Sequence, residues 1–453
     1  MSRKACLIIA DVFPPASTAG VHRTVGLCQH LILNSWDVAV ITMRPGTRSG
    51  LDNGLLDSVP AEVRVVRTAA PNLLDLASKI MRWRPISKPC LTPAPTEQSR
   101  SPRKRPLSRG QWVMDWLSWW LHTPDSWMGW FTPAVWHGLR EARRRRPDVI
   151  FSTAPKWTSH LVGITLSRLL RIPWVADFRD PWCGSRWREF PYAAHRRADE
   201  RVERAVVSRA TRVTCAWEGI RQHLLKRHPQ LDGKIATILN GFAPAQIDPV
   251  PPEKLSPDQC VLLHAGTFYG PRSPLPLFEG LRLLAQRPNG EASRLLVVLL
   301  GPPSYNGRLL EDIARQHGVQ TMVRVIPPVP HRRAIALLKG CDVAMLFGQS
   351  GEVGLASVPA KTFECIGAGK SVLAVGAGAE ARDILRRGGC QLWSVEDASD
   401  AIARGLELIL AEYSRGKLRA PVDETARLAF ARTEMARKLA AVLGDIAGAT
   451  GEV

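Results

Sequence analysis

An α/β fold of two doubly wound domains follows from three observations on this 453-residue sequence. Short β-branched apolar runs alternate with amphipathic helical stretches, the pattern of parallel strands buried on both faces. The alternation occurs twice, on either side of a proline-rich break. The length also exceeds what one ordinary core holds and fits two domains of roughly 200 residues each.

The first domain opens as strand, loop, helix, strand: ACLIIA, DVFPPASTAG, VHRTVGLCQHLILN and DVAVIT. PDVIFST, IPWVADF and TRVTCAW continue the strand type. Between residues 82 and 110 the pattern fails, with Pro85, Pro89, Pro93, Pro95, Pro102 and Pro106 among many basic residues, and a disordered surface insertion is expected. Trp112, Trp116, Trp119, Trp120, Trp127, Trp130 and Trp136 follow, nearly half of the chain's 15 tryptophans. A second break carries Pro244, Pro249, Pro251, Pro252 and Pro257. It divides the chain into a first domain over 1–243, a linker over 244–259, a second domain over 260–420 and a C-terminal helix within 421–453. In the second domain CVLLHAG, LLVVLLG, VRVIPPV, DVAMLF and SVLAVG are the expected strands. The last helix, from about Asp423 to Ile446, sets Leu428, Met435, Leu439, Val442 and Ile446 on one face.

A hydrophobic content of 45% is ample for burial, whereas a formal charge of +20 favours phosphate-bearing partners. Nine scattered cysteines without a C-x-x-C pair argue against a disulfide framework or a zinc site and for a cytoplasmic location. Asp11 cuts the apolar run CLIIA too early for a signal-peptide core, and no run approaches the ~18 apolar residues of a membrane span. Any attachment to the inner face of a membrane is therefore expected to be peripheral. No nucleic-acid module is recognisable, and no nucleic-acid partner is expected.

The richest segment is VPAKTFECIGAGKSVLAV, Val358 to Val375. Ser357 is placed to cap a helix, Pro359 suits its first turn, and Lys361 and Glu364, three apart, share a face. A lysine at the positive end of a helix needs a compensating anion. Glu364 has the chemistry to accept ribose hydroxyls, against the simpler reading of a carboxylate favoured early in a helix. HAGTFYGPR opens the second domain in the strand-to-loop position. Gly266 and Thr267 permit close backbone approach there, and Arg272 offers a fork for a diphosphate or else a solvated cation.

In the first domain the loop from Pro14 to Gly20 precedes a helix whose first turn holds Arg23, a place for a phosphate or a sugar and equally an ordinary βα turn. Asp177, Arg179 and Asp180 end a buried strand, as working groups or as a closed ion-pair cluster. His160 is an acid–base candidate or a structural histidine. Arg140, Arg143, Arg144, Arg145 and Arg146 beside the tryptophans suit an anionic membrane surface, while tryptophans packed on their own domain are the alternative.

Taken together these residues resemble the GT-B nucleotide-sugar glycosyltransferases, specifically glycosyltransferase family 4. The resemblance rests on the FPP loop with Gly20 and Arg23, PDVIFSTAP, PWVADFRDPW, ILNG at Ile238 to Gly241, AGTFYGPR and VPAKTFECIGAGK. It implies two facing Rossmann-like domains and a retaining, hexosyltransferase-like enzyme that uses a nucleoside-diphosphate sugar with neither metal nor other cofactor. It also implies a polysaccharide, cell-envelope or lipid-linked acceptor. Gly20, Gly266, Thr267, Arg272, Lys361 and Glu364 are then the donor-binding residues, and Asp180, His160 and Arg179 the catalytic candidates. The chain departs from the family where its donor-loop arginine and lysine fall on Thr267 and Arg272. Ala356 takes the place of the first glutamate of an E-x7-E pair that ends at Glu364, with Glu352 four residues earlier. Arg179 stands for the family's strand-end histidine and Ala19 for a glycine. A non-catalytic scaffold of the same shape, docked to a membrane or an assembly, is the alternative.

Overall fold

The computed structural model describes residues 3–16, 18–45, 51–73, 116, 118–121, 123–184, 190, 192–269, 272–287, 291–348, 357–418 and 423–448. The expected insertion near 82–110, Trp112, Glu352 and Ala356 lie outside the described residues.

The chain divides into two compact units, one running to Leu239 and resuming at Met435, the other covering Asn240–Glu434. The first unit holds strands β1 (Ala5–Ala10), β2 (Asp37–Met43), β3 (Arg64–Thr68), β4 (Val149–Ala154), β5 (Trp174–Phe178), β6 (Arg212–Cys215) and β7 (Ile235–Thr237). They form one sheet in the order β3-β2-β1-β4-β5-β6-β7, every pair parallel. Every residue of β1, β4 and β5 is buried, which is why these strands read as unbroken apolar runs. The crossovers include the helices Ala19–Leu33, Phe131–Arg144, Thr158–Leu170, Ala193–Arg209 and Glu218–Arg227.

The second unit holds β8 (Cys260–Ala265), β9 (Leu295–Leu300), a small antiparallel hairpin of β10 (Ser304–Tyr305) and β11 (Arg308–Leu309), β12 (Val323–Ile326), β13 (Val343–Phe347), β14 (Ser371–Val375) and β15 (Leu392–Val395). Its parallel sheet runs β12-β9-β8-β13-β14-β15. Leu277, Phe278, Leu281, Leu406 and Ile409 from the helices Leu275–Ala285 and Ser399–Ser414 close over Leu262, Val297 and Leu299 to make the core.

The proline-rich stretch expected as a linker belongs to the second unit. Pro244 opens a short helix to Ile247, and the Glu253 carbonyl lies so close to Gly340 that a Cβ there would stand 2.0 Å from it. The expected last helix is two helices, Glu424–Leu428 and Arg432–Gly448. Between them the backbone leaves helical pairing to bond Phe242, with Phe242 N donating to Phe430 O at 3.2 Å and Arg432 N to Phe242 O at 2.6 Å. Leu428 is consequently 41% exposed, while Met435, Leu439, Leu443 and Ile446 pack with Ile8, Val25 and Leu31 of the first unit's core.

Candidate functional site

In the second unit the winding reverses between β8 and β13, so the loops after these strands diverge and leave a crevice at their carboxyl ends. β8 runs out at Ala265 into Gly266, and Thr267 is exposed. Arg272 reaches back over the reversal, its Nε donating a long hydrogen bond, 3.5 Å, to the carbonyl of Gly348 just past β13. Its guanidinium lies 5.3 Å from the Tyr269 ring centroid. Burial lowers the Arg272 pKa, and no carboxylate among the described residues pairs with it. A partly desolvated cation of this kind gains from pairing with an anion.

Lys361 begins the helix Lys361–Gly367, whose N-cap position falls on Ala360 and not on Ser357. Its Nζ donates to Glu364 Oε2 at 2.6 Å, so the carboxylate three residues on supplies the anion that the helix start requires. Two further ammonium protons remain to be donated. His331, first residue of the helix His331–Gly340, places Nε2 3.9 Å from Glu364 Oε1. Burial alone would raise the Glu364 pKa, but His331 and Lys361 prevail and bring it to about 2. Arg432 faces the same carboxylate electrostatically, although burial lowers its own pKa to about 10.

His264, buried at the end of β8, links the two loops. Its Nδ1 lies 3.2 Å from the Met345 carbonyl, and its ring packs on Phe268 and Phe347 with centroids 4.7 and 4.9 Å away. Its pKa falls to about 4, chiefly through burial, against the bond to Met345 and with added lowering from the charges of Arg272 and Lys361. Arg272 and Lys361 thus act on one imidazole from different loops, and Gly266 lies over it, where a Cβ would stand 3.1 Å from the ring. Among the described residues named here, the cations Arg272, Lys361 and Arg432 outnumber the one carboxylate, Glu364.

In the first unit the reversal lies between β1 and β4. Asp11, the residue after β1, is 3% exposed, with Oδ1 3.6 Å from Arg179 Nη2. Burial raises its pKa, opposed by Arg179 and Lys156. Arg179 Nε donates to the Ala154 carbonyl at 2.8 Å. Its guanidinium lies against Gly20, where a Cβ would sit 1.6 Å from Nη1. Gly20, expected at a ligand, thus has the specific task of admitting Arg179. The Asp180 side chain is open to solvent, yet crowding by protein raises its carboxyl pKa against the lowering by Arg179 and Lys156.

Asp177 lies in a closed cluster, but its cation is Arg23 of the first helix and not the Arg179 of its own segment. Asp177 accepts from Arg23 Nε at 3.0 Å and Nη2 at 2.8 Å, from Thr153 at 2.8 Å and from Thr214 at 2.7 Å. Arg23 is therefore not directed to a phosphate. His160 is wholly buried, with Nδ1 2.8 Å from Ser152 Oγ and its ring set among Phe178, Trp157 and Trp174. Burial brings its pKa down to about 3, so it stays neutral and shielded, a packing residue and not an acid–base group. Asp11, His331 and Arg432 escaped the sequence reading. Only Asp11, closing an apolar strand, carried a usable signal.

Residues 90–241 match the family described as Glycosyl transferase 4-like domain. That match covers about a third of the chain and makes this segment similar to such domains. Over 167 residues it is 28% identical to a D-inositol 3-phosphate glycosyltransferase of Streptosporangium roseum, a match covering 34% of this chain and 38% of that protein. A second protein of that description, from Catenulispora acidiphila, is 29% identical over 111 residues, 24% of this chain and 26% of its own. The matches thus span well under half of these curated relatives. Solved structures align over nearly the whole chain. A glycosyltransferase from Rickettsia africae ESF-5 gives a TM-score of 0.62 at 14% identity, covering 98% of this chain and 99% of its own. Anabaena Alr3699/HepE, solved with UDP, gives 0.61 at 14% identity, covering 97% and 99%. These likenesses show the fold, the GT-B arrangement of two Rossmann-like domains.

Proposed function

We propose that the chain is a glycosyltransferase that moves a sugar, with retention at the anomeric carbon, from a nucleoside-diphosphate sugar to a cell-envelope, polysaccharide or lipid-linked hydroxyl. The observation that carries this reading is Arg272, partly desolvated and without a carboxylate partner among the described residues, acting with Lys361 on His264 at the mouth of a doubly wound sheet whose β13–β14 connection carries Glu364. The Anabaena relative of like fold was solved with UDP and with UDP-glucose, which fits the same ligand class. In the reaction the bond between the anomeric carbon and the diphosphate oxygen breaks and the acceptor oxygen bonds to that carbon. The acceptor proton leaves with the departing diphosphate. Arg272 and Lys361 take up the charge that grows on the diphosphate, an effect strongest where water is excluded. Glu364 holds the ribose.

The test is calorimetry with a panel of nucleoside diphosphates, followed by turnover with their sugars. Lys361→Ala and Glu364→Ala are expected to weaken binding at least tenfold; unchanged affinity would refute the assignment. Donor binding with neither transfer nor slow donor hydrolysis would favour the non-catalytic scaffold.

The acceptor reading draws on an exposed strip of the helix Phe131–Arg144, where Thr132, Trp136, Arg140 and Arg143 recur at helical spacing. Trp136 is 55% exposed and Arg140 lies 5.7 Å from its ring centroid, a pairing suited to a bilayer boundary rich in lipid phosphate. Trp130 and Trp119 are buried in their own unit, so only part of the tryptophan cluster is available for this. Among the described residues no helix is long and apolar enough to cross a membrane. Co-sedimentation with phosphatidylglycerol vesicles that is lost in Trp136→Ala/Arg140→Ala supports peripheral docking; retention by the double variant, or no binding by the parent, refutes it.

A further inference from the structure

We propose that His331 is a specificity residue for the sugar ring of the nucleotide, selecting a ribose diol over a deoxyribose by sharing one hydroxyl with Glu364. The inference rests on the donor-site reading above and deepens it. Lys361 occupies Oε2 of Glu364 at 2.6 Å, which leaves Oε1 as the more open acceptor. His331 Nε2 stands 3.9 Å from Oε1. That distance is beyond a direct hydrogen bond, which for nitrogen and oxygen closes near 2.7–3.2 Å. It leaves a place for a hydroxyl oxygen within reach of both atoms. Such a hydroxyl donates its proton to Oε1 and accepts one from Nε2, the pairing that a neutral or a charged imidazole offers equally well through an N–H. The neighbouring hydroxyl of a cis diol then finds the remaining lone pairs of the carboxylate.

Surrounding groups favour this use. Glu364 is kept ionised by Lys361 from its own helix, by His331 from the helix His331–Gly340 and by Arg432 from the segment that follows Phe430, so it is an acceptor only. Helix Lys361–Gly367 is fixed from behind, since a Cβ on Gly367 would lie 2.6 Å from the Phe242 ring, and Phe363 and Phe430 have centroids 6.4 Å apart. The carboxylate is thus anchored, while the His331 side chain is 46% exposed and free of core duties. Its replacement leaves the packing of both helices intact.

The experiment compares the nucleoside diphosphate that binds the parent protein best, from a panel of UDP, GDP and ADP, with its 2′,3′-dideoxy analogue. His331→Ala is expected to weaken the ribonucleotide about three- to tenfold, the worth of one hydrogen bond, and to leave the dideoxy compound within twofold. His331→Gln, which keeps an N–H near the same place, should recover part of the loss. Equal losses for both compounds, or no loss for either, overturn the proposal while leaving the donor site standing. Failure of the parent to bind any of the three diphosphates overturns the donor reading and this inference with it.

Discussion

Arg23 and Asp177 join the helix Ala19–Leu33 to β5 through two parallel hydrogen bonds, with side chains only 2% and 0% exposed. Asp177 also accepts from Thr153 on β4 and Thr214 on β6, so one carboxylate ties three neighbouring strands to the first helix. Removing one partner strands the other charge in the interior, at about 3–5 kcal/mol. Arg23→Leu and Asp177→Leu should each lower the denaturation midpoint by that order in urea titrations, and the double variant should lose less than the two single losses combined. Despite burial, Arg23 and the hydroxyls hold the Asp177 pKa below its ordinary value. Its stabilisation is present above the unfolded value of about 3.9 and is lost as pH falls further.

His160 and His264 bear on stability at milder acidity. Their folded pKa values are lowered to about 3 and about 4, so the unfolded chain, titrating near about 6.5, binds protons that the folded chain refuses. Stability should therefore decline as pH falls from about 6.5 toward 5, by up to about 1.4 kcal/mol per pH unit for each histidine. Carboxylates such as Glu364, with its pKa near about 2, contribute below this window. His160→Gln should flatten the pH dependence of the unfolding free energy between pH 5 and 6.5. A slope unchanged from the parent would show that His160 is not excluded from protonation.

Gly20→Ala tests the seat of Arg179. The added methyl would stand 1.6 Å from Nη1, and because the atom belongs to a side chain, Arg179 is expected to move while the helix remains. The move breaks its bond to Ala154 and uncovers Asp11. A loss of about 1–3 kcal/mol is expected, typical of a forced shift in a well-packed site. The double variant Gly20→Ala/Arg179→Ala should be hardly less stable than Arg179→Ala alone, as a double-mutant cycle by thermal melting would report.

The fold was legible because parallel strands buried on both faces read as near-continuous apolar runs, as in LLVVLL, and such runs recur between helical stretches. The association of Lys361 with Glu364 was legible too, since three-residue spacing fixes it locally. Spacing could not say what lies across a sheet. Asp177 and Arg23 are 154 residues apart in sequence, and the same letters served equally for a working carboxylate or a closed pair. His160 needed burial to be placed, and burial is a property of Trp157, Trp174 and Phe178 arriving together. The break at Ala429–Ala431 had no proline or glycine to announce it, because it is made by the backbone of Phe242. His331 and Arg432 come from segments far from Glu364 in sequence and carry no pattern of their own.

Arg272 gives the sharpest separation of function from stability. A half-buried guanidinium with one long carbonyl contact and, among the described residues, no carboxylate partner bears a desolvation cost that a bound anion would offset. Arg272→Ala should accordingly leave the melting temperature of the ligand-free protein unchanged or slightly higher, while weakening nucleoside-diphosphate binding at least tenfold. Arg272→Lys retains the charge and loses the planar fork, so it should fall between the two, with the larger loss for a diphosphate than for a monophosphate. Melting curves of all three proteins with and without the diphosphate make the comparison, since only a binding cation links ligand concentration to the shift. A variant that melts well below the parent without ligand would mean that Arg272 is a structural bridge between β8 and β13 and not a group held ready for a phosphate.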